Sequence, residues 1–261
     1  MKLFENGRLL LIAGPCVIES RDQVFRIAEQ LKRITEDRPI DFVFKSSFDK
    51  ANRTSVESYR GPGLEQGLAL LAEVKQQFDL PVNSDVHETA QVAPAAEVLD
   101  ILQIPAFLAR QTDLLVAAGE TGKPVMVKKG QFMAPEDMEH SRNKVQSTGR
   151  AGPVLLCERG STFGYKNLVV DMRSLVVMRQ YAPVVFDGTH SVQRPSGLGG
   201  QSGGDRTMIP HLVRAAAAVG IDGLFLETHD RPEEALCDGP NQLPVADLPA
   251  LLDAVEHIRS A

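Results

Sequence analysis

The chain has no tryptophan, only three tyrosines and three cysteines, and no long uncharged apolar run. Cys16, Cys157 and Cys237 are an odd set with no close pair, which argues against a disulfide framework. No apolar stretch approaches the ~20 residues that a bilayer-spanning helix needs. The early run Leu9 to Ala13 is too short for a secretory signal, and Glu5 stands just before it. The expectation is a cytoplasmic, reducing location with no membrane partner. Positive charge is also scarce: 28 Lys and Arg against 34 Asp and Glu give a net charge of −6. That balance argues against nonspecific nucleic-acid binding, so any anion site must be a local basic pocket in an acidic surface. No linker, low-complexity tract or break in composition interrupts the 261 residues, which predicts one domain over 1–261.

What is present is a regular alternation. Short apolar runs predict strands at Leu9 to Ala13, Phe42 to Lys45, Val82 to Asp85, Ile101 to Ile104, Val125 to Lys128, Val154 to Cys157, Val184 to Asp187 and Leu224 to Glu227. They lack polar–apolar alternation, as expected of parallel strands buried on both faces. Helical patterns lie between them, near 64–78, 90–99, 113–121, 135–145, 168–180, 205–219 and 245–259. The first helix opens on the capping box Ser20-Arg21-Asp22-Gln23 and carries Val24, Ile27, Ala28, Leu31 and Ile34 at helical spacing. Eight βα units close into a barrel or form an open sheet. The first turn, Ala13-Gly14-Pro15-Cys16, lacks the glycine fingerprint of a dinucleotide fold. Eight units in this length favour a single (β/α)8 (TIM) barrel.

Polar residues then recur just after the strands: Cys16, Lys45, Asp85, His87, Arg110, Lys128, Arg159, Asp187, His190 and Glu227. In a barrel these converge on the rim where active sites lie. The densest stretch is Lys45 to Thr54, with three cations, three hydroxyls and an amide against one carboxylate. Such groups suit phosphate or carboxylate oxygens, although a solvated loop has a similar composition. Lys45, Lys128 and Arg159 come from three different strands and suit a multiply charged anion, such as a phosphorylated carboxylate. The plainer alternative pairs them with Asp85, Glu158 and Asp187 in a salt-bridge network. A Schiff-base lysine is a further alternative, and it would need a desolvated amine of lowered pKa.

Cys16, His190, Glu227 and Asp238 form a second set, after strands one, seven and eight, which adjoin where a barrel closes. Thiolate, imidazole and carboxylates suit a divalent ion such as Fe²⁺, Mn²⁺, Co²⁺ or Zn²⁺. Their spacing matches no compact zinc motif, and a cysteine beside a proline is more often a packed small residue. His229 competes as an imidazole. Cys157 and Cys237 read as structural, and His140 and His257 as solvated helix residues. The glycine-rich segment 196–204 precedes a helix and suits either a phosphate cradle or a lid.

Several motifs together resemble the 3-deoxy-D-manno-octulosonate 8-phosphate synthases (KDO-8-phosphate synthases). They are Ile12 to Ser20, Phe44 to Arg53, Tyr59-Arg60-Gly61-Pro62-Gly63, Asp85-Val86-His87-Glu88, Gln103 to Asp113, Val127 to Phe132, Phe163-Gly164-Tyr165, Phe186 to His190 and Cys237-Asp238-Gly239-Pro240. They run in one order through nearly the whole chain. The resemblance implies a homotetrameric (β/α)8 enzyme of lipopolysaccharide biosynthesis that joins phosphoenolpyruvate to D-arabinose 5-phosphate and releases phosphate. It implies that Lys45, Ser47, Lys128, Gln131 and Arg159 hold phosphoenolpyruvate. Lys50, Asn52, Asp85 and His87 would orient the aldose, and Arg53 with Thr54 would take its phosphate. Thr54 stands where many relatives carry serine. Metal-independent members carry asparagine at the position of Cys16, so the resemblance implies the metal-dependent form, with Cys16, His190, Glu227 and Asp238 as ligands. Lys50 is the candidate proton donor, and Asp238 or His190 the candidate base. One alternative is the related heptulosonate 7-phosphate synthase that uses erythrose 4-phosphate, which typically carries a Lys-Pro-Arg-Thr pattern where this chain has Asp49 to Arg53. Another, of a different class, is a non-catalytic sugar-phosphate-binding barrel.

Overall fold

The structure, a computed structural model, describes residues 3–4, 7–195 and 203–260. Eight parallel strands form a closed sheet: β1 (Leu9–Gly14), β2 (Ile40–Lys45), β3 (Val82–Asp85), β4 (Ile101–Ile104), β5 (Val125–Lys128), β6 (Val154–Glu158), β7 (Val184–Asp187) and β8 (Gly223–His229). Each pairs with the next in sequence, and β1 also pairs with β8, so no edge is left open. Around them lie α1 (Arg21–Thr35), α2 (Leu64–Phe78), α3 (Thr89–Val98), α4 (Thr112–Glu120), α5 (Met138–Gln146), α6 (Arg173–Arg179), α7 (Ile209–Val219) and α8 (Leu248–Ser260). This is the predicted (β/α)8 barrel.

The continuous apolar strands divide between two cores because successive side chains face opposite ways. Leu10, Ile12, Val43, Ile101, Met126, Leu155, Val185 and Phe225 fill the barrel interior. Leu9, Leu11, Phe44, Leu102, Val127, Leu156, Phe186 and Leu226 face the helices in the larger outer core. Two residues beyond an interior position is again an interior position. Val43 is followed in this way by Lys45, Ile101 by Gln103, Met126 by Lys128, Val185 by Asp187 and Phe225 by Glu227. The apolar plug thus gives way to a polar layer at the C-terminal rim. At Gly14 any Cβ would collide with the carbonyl oxygen of Lys45, so only glycine lets β1 turn here toward Cys16.

Local signals behave as their chemistry dictates. Ser20 caps α1 by accepting the Gln23 N–H. The helix expected over 168–180 is shorter: Leu168–Val169 pairs antiparallel with Ser161–Thr162, and Asp171 accepts the Arg173 and Ser174 N–H groups to start α6. Segment 206–208 is a tight turn leading into α7, and 135–137 is a turn before α5. Of the glycine-rich segment, residues 196–202 lie outside the described residues, and Gly203–Gly204 pairs with Gln193–Arg194. No described helix is long and apolar enough to cross a membrane.

Candidate active site

A cavity of about 480 Å³ opens on the C-terminal rim. Twelve of the predicted site residues line it: Lys50, Asn52, Arg53, Thr54, Asp85, His87, Lys128, Gln131, Arg159, His190, Glu227 and Asp238. Lys45, Ser47 and Cys16 do not line it. They form a buried floor, in which the Lys45 ammonium donates to the Cys16 carbonyl, Ser47 Oγ and Glu227 Oε1, each at 3.0 Å. Lys50 donates to the same Glu227 oxygen at 3.2 Å. Burial pushes the Glu227 carboxyl up, but Lys45, Lys50 and His190 outweigh it and hold it well below the usual range. Burial likewise pushes the Lys50 ammonium down, and Cys16, Glu227 and Asp85 reverse this so that it sits well above its ordinary value. Lys50 is therefore a standing ammonium, the opposite of what a Schiff-base amine requires.

Asp187 organises the next sector. Its Oδ1 accepts the backbone N–H groups of Thr189 (3.1 Å) and His190 (2.9 Å). Its Oδ2 accepts Lys128 Nζ at 2.5 Å and meets His190 Nδ1 at 2.7 Å. His190 Nε2 lies 3.7 Å from Glu227 Oε2. Burial opposes ionisation of Asp187, but His190 and Lys128 hold its pKa far below the usual carboxylate range. Of the three rim cations, only Lys128 makes a pairing of the plainer sequence alternative, with Asp187, while Lys45 pairs with Glu227 beneath the cavity and Arg159 faces the cavity held by Gln193.

Three observations show what the cavity lacks from protein alone. Among the described residues, Arg159 Nη1 and Arg53 Nε are buried donors with no protein partner, and Glu227 Oε2 is a buried acceptor with none. Unpaired buried groups of this kind are costly unless a ligand completes them, and the two guanidinium groups call for anions. Arg159 is otherwise held by Gln193 Oε1 at 3.0 Å, and Gln193 also reaches Asp238 at 3.3 Å. Asp85 Oδ1 and His87 Nδ1 are likewise unpaired, while Asp85 Oδ2 lies 3.1 Å from His87 Nε2. An acceptor beside a ring nitrogen suits neighbouring hydroxyls.

The four predicted metal ligands fall into two overlapping clusters. Donor atoms of His190, Glu227 and Asp238 lie within 4.8 Å of one another, and so do those of Cys16, Cys237 and Asp238. Asp238 is shared. Cys237, read from sequence as structural, has its Sγ 3.0 Å from Cys16 Sγ and accepts from Arg53 Nη1 at 2.8 Å. Cys157 is structural as expected, its thiol pushed up to about 12 by burial in the barrel interior. His140 and His257 are exposed, and His229 is buried beside Glu19 and Asp230. Sequence reasoning missed Gln193 and Cys237 as site residues and saw Asp187 only as a rim charge. Adjacency to Asp238 in the motif Cys237-Asp238-Gly239-Pro240 was a signal available for Cys237, and nothing in the sequence marked Gln193.

The His87–Asp85 pair predicts a pH effect. Burial pushes the His87 imidazolium down, but the bond to Asp85 and the charges of Asp85 and Asp49 outweigh it, so its pKa is raised. A raised pKa contributes stability that is complete below the unfolded value of about 6.5 and is lost as pH rises through the folded value. The melting-temperature gap between the protein and its His87→Gln variant is expected to be widest below about pH 6.5 and to narrow as pH rises above it. A gap that widens with pH would show that His87 is held neutral.

Fold and rim together define a (β/α)8-barrel enzyme that gathers anionic substrates over a floor of carboxylate, imidazole and thiol groups. The DAHP synthetase I family matches residues 4–261, and the chain belongs to that family. It is 62% identical over 254 residues to the 2-dehydro-3-deoxyphosphooctonate aldolase of Desulfatibacillum aliphaticivorans, covering 97% of this chain and 93% of the relative. It is 59% identical over 259 residues to the protein of that name from Geobacter metallireducens (99% and 95% covered). To that of Campylobacter jejuni it is 55% identical over 263 residues, with 97% of each chain covered. These relatives carry the eight-carbon acid phosphate in their names, as does the enzyme family that the motifs resemble.

Proposed function

We propose that this barrel condenses phosphoenolpyruvate with D-arabinose 5-phosphate and water, giving 3-deoxy-D-manno-octulosonate 8-phosphate and inorganic phosphate for lipopolysaccharide biosynthesis. The observation that carries the reading is two incomplete guanidinium groups, Arg159 and Arg53, facing one cavity. Each suits one of two anionic substrates. Lys128, Gln131 and Arg159 hold phosphoenolpyruvate, with Lys45 and Ser47 on the floor. Arg53 and Thr54 take the sugar phosphate, while Asn52, Asp85, His87 and Lys50 orient the aldose. The octonate names of the relatives support the eight-carbon product over the seven-carbon alternative.

The chemistry follows from these roles. Carbon 3 of phosphoenolpyruvate is a weak nucleophile, so fixing both substrates by their anions can supply ~7 kcal/mol or more of orientation. As the C–C bond forms, Lys50 protonates the developing alkoxide of the aldose. Water adds to carbon 2, and Asp238 or His190 takes its proton. The resulting hemiketal phosphate breaks its C–O bond and expels phosphate. A divalent ion also fits the site: Glu227 Oε2 is orphaned and buried, and thiol, imidazole and carboxylate donors cluster on Asp238. Cys16, His190, Glu227 and Asp238 would hold Fe²⁺, Mn²⁺, Co²⁺ or Zn²⁺. Bound there, the ion would supply Lewis acidity toward the aldehyde or an acidified water. The likeness also carries a homotetramer in the cytoplasm, and exposed Phe107, Phe132, Phe163 and Tyr165 after the strand ends offer apolar surface for such an assembly.

Phosphate release is expected from phosphoenolpyruvate with arabinose 5-phosphate and only weakly, if at all, with erythrose 4-phosphate. A preference for erythrose 4-phosphate would move the assignment to the seven-carbon synthase. Binding of both substrates without release would make this a non-catalytic barrel.

A further inference from the structure

Lys129 is a rim cation with no part in the substrate roles above. It follows inward-facing Lys128, does not line the cavity, and is fully buried. Its ammonium donates to Ser161 Oγ at 2.9 Å and lies 3.4 Å and 3.5 Å from the carbonyl oxygens of Met133 and Gly160. Glu158 Oε1 lies 3.6 Å away and accepts the Gly160 N–H at 2.5 Å. A backbone bond from Thr162 N to the Gln131 carbonyl, 2.9 Å, runs between the same two loops. One ammonium therefore ties the end of β5 and the turn after it, which carry Lys128 and Gln131, to the turn after β6, which carries Arg159.

Stability alone does not explain the pair. Burial pushes the Lys129 ammonium down and the Glu158 carboxyl up, so desolvation opposes both charges. Buried ion pairs often stabilise no better than apolar residues of the same volume. What an ammonium does here, and an apolar side chain cannot, is gather two carbonyls, a hydroxyl and a carboxylate from two loops at one point.

We infer that Lys129, seated against Glu158, is a positioning residue that sets the spacing between Lys128 and Gln131 at one strand end and Arg159 at the next. It thereby sets the affinity for phosphoenolpyruvate without touching it. The inference rests on the reading of this rim as the phosphoenolpyruvate site.

The test is steady-state kinetics of the full-length enzyme and its Lys129→Met variant, with both substrates varied. KM for phosphoenolpyruvate is expected to rise about tenfold while KM for arabinose 5-phosphate stays within about twofold, because a small misplacement of binding groups is felt at the anion they hold. Ser161→Ala keeps the ammonium and removes one bond at a half-buried position, and a rise of about threefold in the same KM is expected. Ser161→Ala decides the matter alone if Lys129→Met fails to fold. An unchanged KM for phosphoenolpyruvate in a folded variant, or an equal rise in both KM values, overturns the inference. Wild-type enzyme that releases no phosphate from phosphoenolpyruvate with either aldose brings down the functional reading and this inference together. Wild-type turnover with unaffected variants brings down the inference alone.

Discussion

Lys128→Ala is expected to lower kcat/KM for phosphoenolpyruvate by about 10²–10³-fold, the usual loss when one preorganised charge contact is removed from a dry site. Lys128 is 4% exposed, lies 2.5 Å from Asp187 Oδ2 and sits over the Phe225 ring at 3.1 Å from its centroid. It is thus aimed by its neighbours and cannot be replaced by a mobile surface lysine. Removing one partner of a buried pair often costs about 3–5 kcal/mol because the other charge is stranded. Here the loss should fall below that range, about 1–3 kcal/mol, since Asp187 keeps the N–H groups of Thr189 and His190 and the His190 ring. The variant should therefore fold, with a modestly lower melting temperature, and fail chiefly at phosphoenolpyruvate. Unchanged steady-state parameters would remove Lys128 from the site.

Cys16→Ala is expected to strip the enzyme of bound metal and of turnover. Cys16 is 1% exposed, and its Sγ shares a 4.8 Å cluster with Cys237 and Asp238, whose carboxylate also belongs to the cluster with His190 and Glu227. Loss of the thiolate removes the softest donor of the proposed set, the one that favours a borderline transition ion over a hard one. Metal content by elemental analysis should fall from about one ion per chain to a small fraction, and Mn²⁺ should no longer restore activity after chelation. In the unaltered enzyme, chelation should abolish phosphate release and Mn²⁺ should return it. Because burial, and then Cys237 beside it, push the Cys16 thiol well above its ordinary value, metal uptake should strengthen with rising pH. Full activity in verified metal-free Cys16→Ala would make Cys16 a bystander, and Cys237→Ala would then test the neighbouring thiol.

Much of the barrel was legible because each strand is short and buried on both faces, so eight apolar runs stand out from amphipathic spacers. The Ser20 capping box marked the start of α1 for an equally local reason: its bonds span three residues. Leu168 and Val169, which pair with Ser161–Thr162, read from sequence as the start of a helix because they also fit the helical spacing that follows. The polar residues just after the strands were legible as a rim because the apolar runs end so abruptly, as at Lys45 after Phe42-Val43-Phe44.

What the sequence determined by itself is therefore the repeat of units, the polar layer at the strand ends and the family likeness carried by the motifs. Tertiary structure alone decided which charges meet. Cys16 and Cys237 are brought together across 221 positions, Lys45 and Glu227 across 182, and Arg159 and Gln193 across 34. Closure of β1 onto β8 creates the first two of these contacts, and no local pattern encodes a pairing set by barrel closure. The tertiary structure also separated adjacent lysines, placing Lys128 in the cavity and Lys129 in a brace behind it. The physical reason is the pleat: neighbouring side chains on a strand face opposite sides, but which neighbour meets a substrate depends on what the other strands bring.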